Sequence, residues 1–225
     1  EQITFSTGIS STLTLGTKAA STGITKVTFD DANEASLVTV GVDFTNDLEV
    51  VVSDVLHDVT GSAFTKVLTV DSGAATLAST NGITGGTGST DVFEFNGTAN
   101  AAAISSGISG FEKLVVNKDA SSSFLLQDAF FASGSTIGTV DASAITTVDN
   151  VFTFDATAED DAKITITGGS GNDVITISAS TAGGDSISGG TGNDTFKFAS
   201  ANYTSADTIS GGAGDDILEL SNAVA

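Results

Sequence analysis

Residues 168–176 read GGSGNDVIT, residues 189–197 read GGTGNDTFK and residues 211–219 read GGAGDDILE. One nine-residue phrase is therefore written three times, G-G-x-G-x-D-x-U-x, with U a large apolar residue. Glycine enters backbone conformations closed to other residues and lets carbonyl oxygens converge. The aspartate adds a charged oxygen, and the x-U-x tail is a short strand with one side chain pointing inward. A calcium ion takes about six to eight hard oxygen ligands in adaptable geometry. One such turn supplies too few, and two stacked turns supply enough.

The three copies begin 21 and 22 residues apart. Degraded copies lie between them. Residues 180–188 (STAGGDSIS) keep Gly183, Asp185 and Ile187 in register, and residues 202–210 (NYTSADTIS) keep Asp207 and Ile209. If each coil of a parallel β-roll holds two turn-plus-strand units, every second unit falls on the same side. Asp173, Asp194 and Asp216 then form one ladder, with Asp185 and Asp207 in a weaker ladder opposite. Ile175, Ile187, Phe196, Ile209 and Leu218 fill the space between them.

The rest of the 225-residue chain suits such a solenoid. Its 40% hydrophobic content excludes generic disorder, and there is no proline where ordinary usage would give about eleven. A chain that is nearly all β-ladder has few places for a residue without an N–H. Short alternating runs recur at residues 12–15, 24–29, 37–42, 48–52 and 66–70. Several strands end in an Asx residue followed by small polar ones: VTFDDAN at Val27, LTVDSGA at Leu68, FEFNGTA at Phe93, LVVNKDAS at Leu114, GTVDASA at Gly138 and FTFDATA at Phe152. These intervals, often near 20 to 25 residues, read as strand, Asx turn, loop and next strand. An antiparallel sandwich is the alternative for residues 1–80. Residues 96–109 read as a loop or short helix. Residues 120–135 (ASSSFLLQDAFFASGS) read as a short helix capping or covering the solenoid, with the aromatics among Phe124, Leu125, Leu126, Phe130 and Phe131 as core.

With 28 acidic residues against seven lysines and no arginine, the net charge is −21. That balance argues against nucleic acid and anionic membrane surfaces and points to cations as partners. No apolar run approaches the ~20 residues of a membrane span. The lack of cysteine excludes disulfides and thiol ligands. The single histidine, His57, with Ser53 nearby, lacks the nucleophile turn that hydrolytic chemistry needs, and zinc is equally poorly served. Catalysis is not expected. An isolated relative of the repeat, Gly85, Gly86 and Gly88 followed by Asp91 and Phe93, is one residue too long between glycine and aspartate. It reads as either a bulged calcium turn, with Asp71 or Asn81 helping, or a glycine turn without metal.

The nonapeptides resemble the RTX family of secreted Gram-negative proteins. Upstream, SGISGFEKLVVN at Ser106, TVDASAITTV at Thr139 and KITITGGSGND at Lys163 look like the phrases that precede RTX turns in Gram-negative S-layer proteins. The resemblance implies Ca2+ held by the carboxylates of Asp173, Asp194 and Asp216. It also implies carbonyls from Gly169, Gly171, Gly190, Gly192, Gly212 and Gly214, and from Ser170, Thr191 and Ala213. Asp185 and Asp207 depart from the family pattern, and either hold a further calcium or are solvated turn aspartates.

The fold expected is all-β: a right-handed parallel β-solenoid ending in an RTX calcium β-roll. Residues 1–84 would form a strand-rich solenoid or sandwich region, residues 85–166 solenoid with one degenerate RTX turn and a short helical or loop insertion, and residues 167–221 the β-roll. The function the resemblance implies is a structural calcium-binding segment of a longer, extracellular, self-assembling S-layer protein exported by type I secretion. Its partners would be copies of itself in a lattice, and outer-membrane polysaccharide through a region outside the segment. A giant RTX adhesin, or the secretion and folding module of an exported hydrolase, are the alternatives.

Overall fold

The computed structural model describes residues 1–5, 10–29, 35–52, 57–73, 82–88, 90–97, 107–132, 137–177 and 184–221. Their strands follow in chain order: β1 (Gln2–Phe5), β2 (Thr12–Leu15), β3 (Lys26–Phe29), β4 (Leu37–Val40), β5 (Leu48–Val52), β6 (Asp58–Thr60) and β7 (Leu68–Asp71). Then come β8 (Ile83–Thr84), β9 (Val92–Phe95), β10 (Ile108–Ser109), β11 (Lys113–Val116), β12 (Ser122–Leu125), β13 (Ile137–Asp141) and β14 (Phe152–Ala156). The last are β15 (Lys163–Thr167), β16 (Val174–Ile177), β17 (Ser186–Thr191), β18 (Thr195–Ala199), β19 (Thr208–Ala213) and β20 (Ile217–Ser221). One helical turn, α1 (Thr17–Ser21), interrupts them.

Every described strand pairing is parallel, and the chain is a β-solenoid. The odd-numbered strands make one ten-stranded sheet in sequence order. The even-numbered strands make two five-stranded sheets, β2 to β10 and β12 to β20. Each coil thus lays one strand on each of two faces. The antiparallel sandwich considered for residues 1–80 is not formed, because β1 to β7 pair only with strands two further along the chain.

Alternation decides which side chains go inside. A column of apolar residues runs through the whole ten-stranded sheet in register: Ile3, Val27, Val50, Val70, Phe93, Leu114, Val140, Ile166, Ile187 and Ile209. On the opposite face Phe124, Phe154, Ile175, Phe196 and Leu218 stack in the same way. Each fully buried member contributes roughly 1.5–3 kcal/mol, and a one-residue slip would turn the whole column outward. Ile3 and Ile209 are only partly buried, and Leu218 is exposed rather than in the core. The five core residues expected around the β-roll therefore divide between two columns. Ile175, Phe196 and Leu218 belong to one, Ile187 and Ile209 to the other.

Asx turns end several strands as expected. Asp71 accepts the N–H of Gly73 at 2.7 Å, Asp141 that of Ser143 at 3.2 Å and Asp155 that of Thr157 at 2.9 Å. Coil length is less regular: Leu48 pairs with Leu68, 20 residues on, but Lys113 pairs with Thr139, 26 residues on.

Residues 120–135 differ from expectation. Instead of a helix, the described part is strand β12, with Phe124 and Leu126 buried, followed by a turn in which Phe130 N–H donates to Gln127 O at 2.9 Å. The apolar density that looks helical arises because Phe130 and Phe131 both enter the core where the second face changes sheets. There Phe111 and Phe131 form an isolated parallel bridge, and Phe93, Phe111 and Phe130 pack ring to ring. Gly138 leaves the room for this, since a Cβ there would overlap the Phe131 ring. Of residues 96–109, residues 98–106 lie outside those described, and Ile108–Ser109 is strand.

Candidate metal centre

In the C-terminal coils an aspartate stands directly before each strand and caps the strand start of the coil before it. Asp173 Oδ1 accepts the N–H of Phe152 at 2.8 Å, Asp194 Oδ1 that of Asp173 at 2.8 Å, and Asp216 Oδ1 that of Asp194 at 3.0 Å. On the other face Asp185 Oδ1 accepts the N–H of Ile164 at 2.9 Å and Asp207 Oδ1 that of Asp185 at 2.8 Å. Both ladders read from the spacing are therefore present. Asp91 does the same upstream, accepting the N–H of Leu68 at 2.7 Å, and its own N–H donates to Glu112 Oε2 at 2.6 Å.

A third ladder was not anticipated. Asn172 Oδ1 accepts the N–H of Asn193, and Asn193 Oδ1 that of Asp215, both at 2.8 Å. The signal for it is the amide or carboxylate just before Asp173, Asp194 and Asp216.

The second carboxylate oxygen separates the copies. In the first, Asp173 Oδ2 accepts the N–H of Gly169 at 2.8 Å. Asp91 Oδ2 is engaged in the same way by Gly86 at 2.6 Å. In the second copy Gly190 and Gly192 take φ of 114° and 122°, in the left-handed region that favours glycine, and Gly212 and Gly214 follow in the third. The strands run on through these turns, with Gly190 paired to Gly212 and Thr191 to Ala213. Here no donor reaches Asp194 Oδ2, which is buried without a hydrogen-bond partner. That oxygen and the Gly211 carbonyl both close over Gly189, where a Cβ would overlap the carboxylate. In the weaker ladder Asp207 Oδ2 is engaged by the N–H of Thr204 at 2.6 Å and its hydroxyl at 3.2 Å. Asp185 is buried rather than solvated, and Gly183 lies outside the described residues.

Burial dominates the electrostatics. It pushes Asp173 up to about 6, against the opposing amides of Phe152 and Gly169 and with a further push from Asp194. It raises Asp194, where the charge of Asp216 adds to the effect, and Asp185, where Asp207 adds and Lys163 opposes. Stacked carboxylates and backbone carbonyls with a buried, unpartnered anionic oxygen lack positive charge. An all-oxygen donor set of this kind fits a hard divalent cation such as calcium.

Residues 165–176, 180–197 and 203–222 match the family model described as RTX calcium-binding nonapeptide repeat (4 copies). These coils carry RTX calcium-binding repeats. The match spans all five ladder aspartates of the β-roll and leaves Asp91 outside. Calcium is thus the cofactor of the RTX coils, whose kind occurs in secreted proteins. No curated protein and no solved structure matches the chain.

The RTX β-solenoid is a structural fold. Away from the repeats, His57 is fully buried and stacks on Phe29 with ring centroids 4.6 Å apart, while Ser53 lies outside the described residues. No described helix is long and apolar enough to cross a membrane.

Proposed function

We propose that this chain is a calcium-stitched structural segment of a self-assembling bacterial surface layer. The observation that carries the structural part is the stacked aspartate ladder, in which each carboxylate holds the coil before it and Asp194 keeps a buried oxygen free of any donor. Asp194 and Asp216 would hold one calcium with the turn carbonyls of Gly190, Thr191, Gly192, Gly212, Ala213 and Gly214. Asp173, with Gly169, Ser170 and Gly171, would complete a second site against Asp194. Bound calcium supplies the positive charge these oxygens lack and cross-links successive coils. Asp91 and the pair Asp185 and Asp207, whose oxygens are largely engaged by amides, act chiefly as strand caps.

The assembly reading rests on charge and on the resemblance of the upstream phrases to S-layer sequences. Copies carrying a net charge of −21 repel one another unless divalent cations intervene, so association of such rods depends on calcium. Outside the cell, calcium folds the chain and permits contacts between copies. Attachment to outer-membrane polysaccharide would fall to a region beyond this segment.

Electron microscopy of the source cells tests the proposal. A periodic surface sheet that labels with antibody to this chain and disperses on calcium chelation is the expected result. Label on isolated fibres would point to an adhesin and overturn the surface-layer reading.

A further inference from the structure

Outside the RTX repeats a second buried carboxylate lacks a donor for one oxygen. Glu159 lies in the turn between β14 and β15 and is 1% exposed. The turn is fixed by its own backbone, with Glu159 N–H donating to Ala156 O at 3.1 Å. Glu159 Oε1 accepts the N–H groups of Ala162 at 2.9 Å and Asp161 at 3.3 Å. Its Oε2 is buried and has no hydrogen-bond partner.

Two more carboxylates lie beside that of Glu159. Asp161 stands two residues on, and Asp128 comes from the turn after β12, in the coil before. The Asp160 N–H reaches Asp128 Oδ1 at 3.4 Å, which ties the two turns together. One carboxylate oxygen from each of Asp128, Glu159 and Asp161 lies within 4.8 Å of the other two. Asp128 and Asp161 are exposed, so the group opens to solvent on one side, and none of the three pairs with a lysine among the described residues. Carboxylates this close repel one another, and a buried oxygen without a donor is costly. Burial, with smaller contributions from Asp161 and Asp128, also pushes Glu159 up to about 7.

We propose that Asp128, Glu159 and Asp161 form a calcium site separate from the RTX repeats, clamping the β14–β15 turn to the coil before it. The donors are all hard oxygens, which selects calcium over softer metals. Glu159 is held in place by two amides before any ion arrives. Asp128 and Asp161 provide the solvent-facing side through which the ion enters.

The test is the calcium content of the whole chain, measured by equilibrium dialysis against calcium chloride, for wild type, Glu159→Gln and the double variant Asp128→Asn with Asp161→Asn. Each variant is expected to bind one calcium fewer per chain, with unchanged amide-exchange protection over residues 186–221 in calcium. The double variant alters only exposed side chains and decides the matter if Glu159→Gln does not fold. Unchanged calcium content in the double variant overturns the site. Loss of protection in the RTX coils along with the ion overturns its separateness.

Discussion

Asp194 carries opposite consequences with and without metal. Asp194→Asn keeps an Oδ1 acceptor for the Asp173 N–H but removes a buried charge whose other oxygen has no donor. Without calcium the variant is expected to be more stable than wild type, by roughly 1 kcal/mol. With calcium it is expected to bind the ion about tenfold more weakly, since charge count tunes affinity at such sites. Urea unfolding in chelator and calorimetric titration give the two values, and a change of the same sign in both would contradict the assignment. Asp173 sets a pH dependence. Below about pH 4 folded and unfolded chains both hold its proton, and no penalty arises. Between there and about 6 the unfolded chain has released the proton while the folded one retains it, so calcium-free stability falls as pH rises. Above about 6 the penalty is complete and constant. The raised carboxyls of Asp91, Asp185, Asp194, Glu94 and Glu159 act in the same direction, whereas the lowered ones of Asp119 and Asp141 exert their effect below about pH 4, outside this window. Thermal melts in chelator from pH 4 to 8 should show the decline, and calcium affinity should climb through the same window as protons leave.

The turns and strands show how far local pattern reaches. Gly190 sits at φ 114° and close over the Gly169 carbonyl, so Gly190→Ala is strained both by conformation and by contact with the neighbouring coil. It is expected to cost about 1–3 kcal/mol in saturating calcium, read from urea unfolding, and a neutral result would mean the turn backbone is not held as described. The nonapeptide phrase gave the turns, the strands and the pairing of the aspartates, because glycine, aspartate and a single inward side chain are local requirements. It did not distinguish the first copy, where Asp173 is satisfied by the Gly169 amide, from the second, where Asp194 is not. That difference accompanies the backbone angles, since Gly190 and Gly192 take positive φ and Gly169 and Gly171 do not. Residues 120–135 carry the core aromatics expected of them, with Phe124, Phe130 and Phe131 buried, but not the helix. Their aromatic density reflects a change of sheet that draws Phe130 and Phe131 into the core, which no short window reveals.

Across the whole molecule, stability is divided unevenly. The upstream coils are held by continuous apolar columns, with Val27, Val50, Val70, Phe93 and Leu114 fully buried, whereas the RTX coils add stacked, buried carboxylates that need a cation. Chelation is therefore expected to remove amide-exchange protection over β17 to β20 first while β3 to β7 stay protected. Simultaneous loss across both regions would show that the ions hold the entire solenoid. Three copies spaced 21 and 22 residues apart marked the parallel β-roll of residues 167–221 and both of its aspartate ladders, while residues 1–80 stayed open between solenoid and sandwich. Period and side-chain alternation follow from strand geometry and need only sequence distance to be read. The tertiary structure alone decided where the second face changes sheets, which carboxylate oxygens find a donor, and that Asp128 meets Glu159 and Asp161. Those three facts depend on contacts between residues of different coils, and unequal coil lengths shift that alignment in ways that composition and spacing do not record.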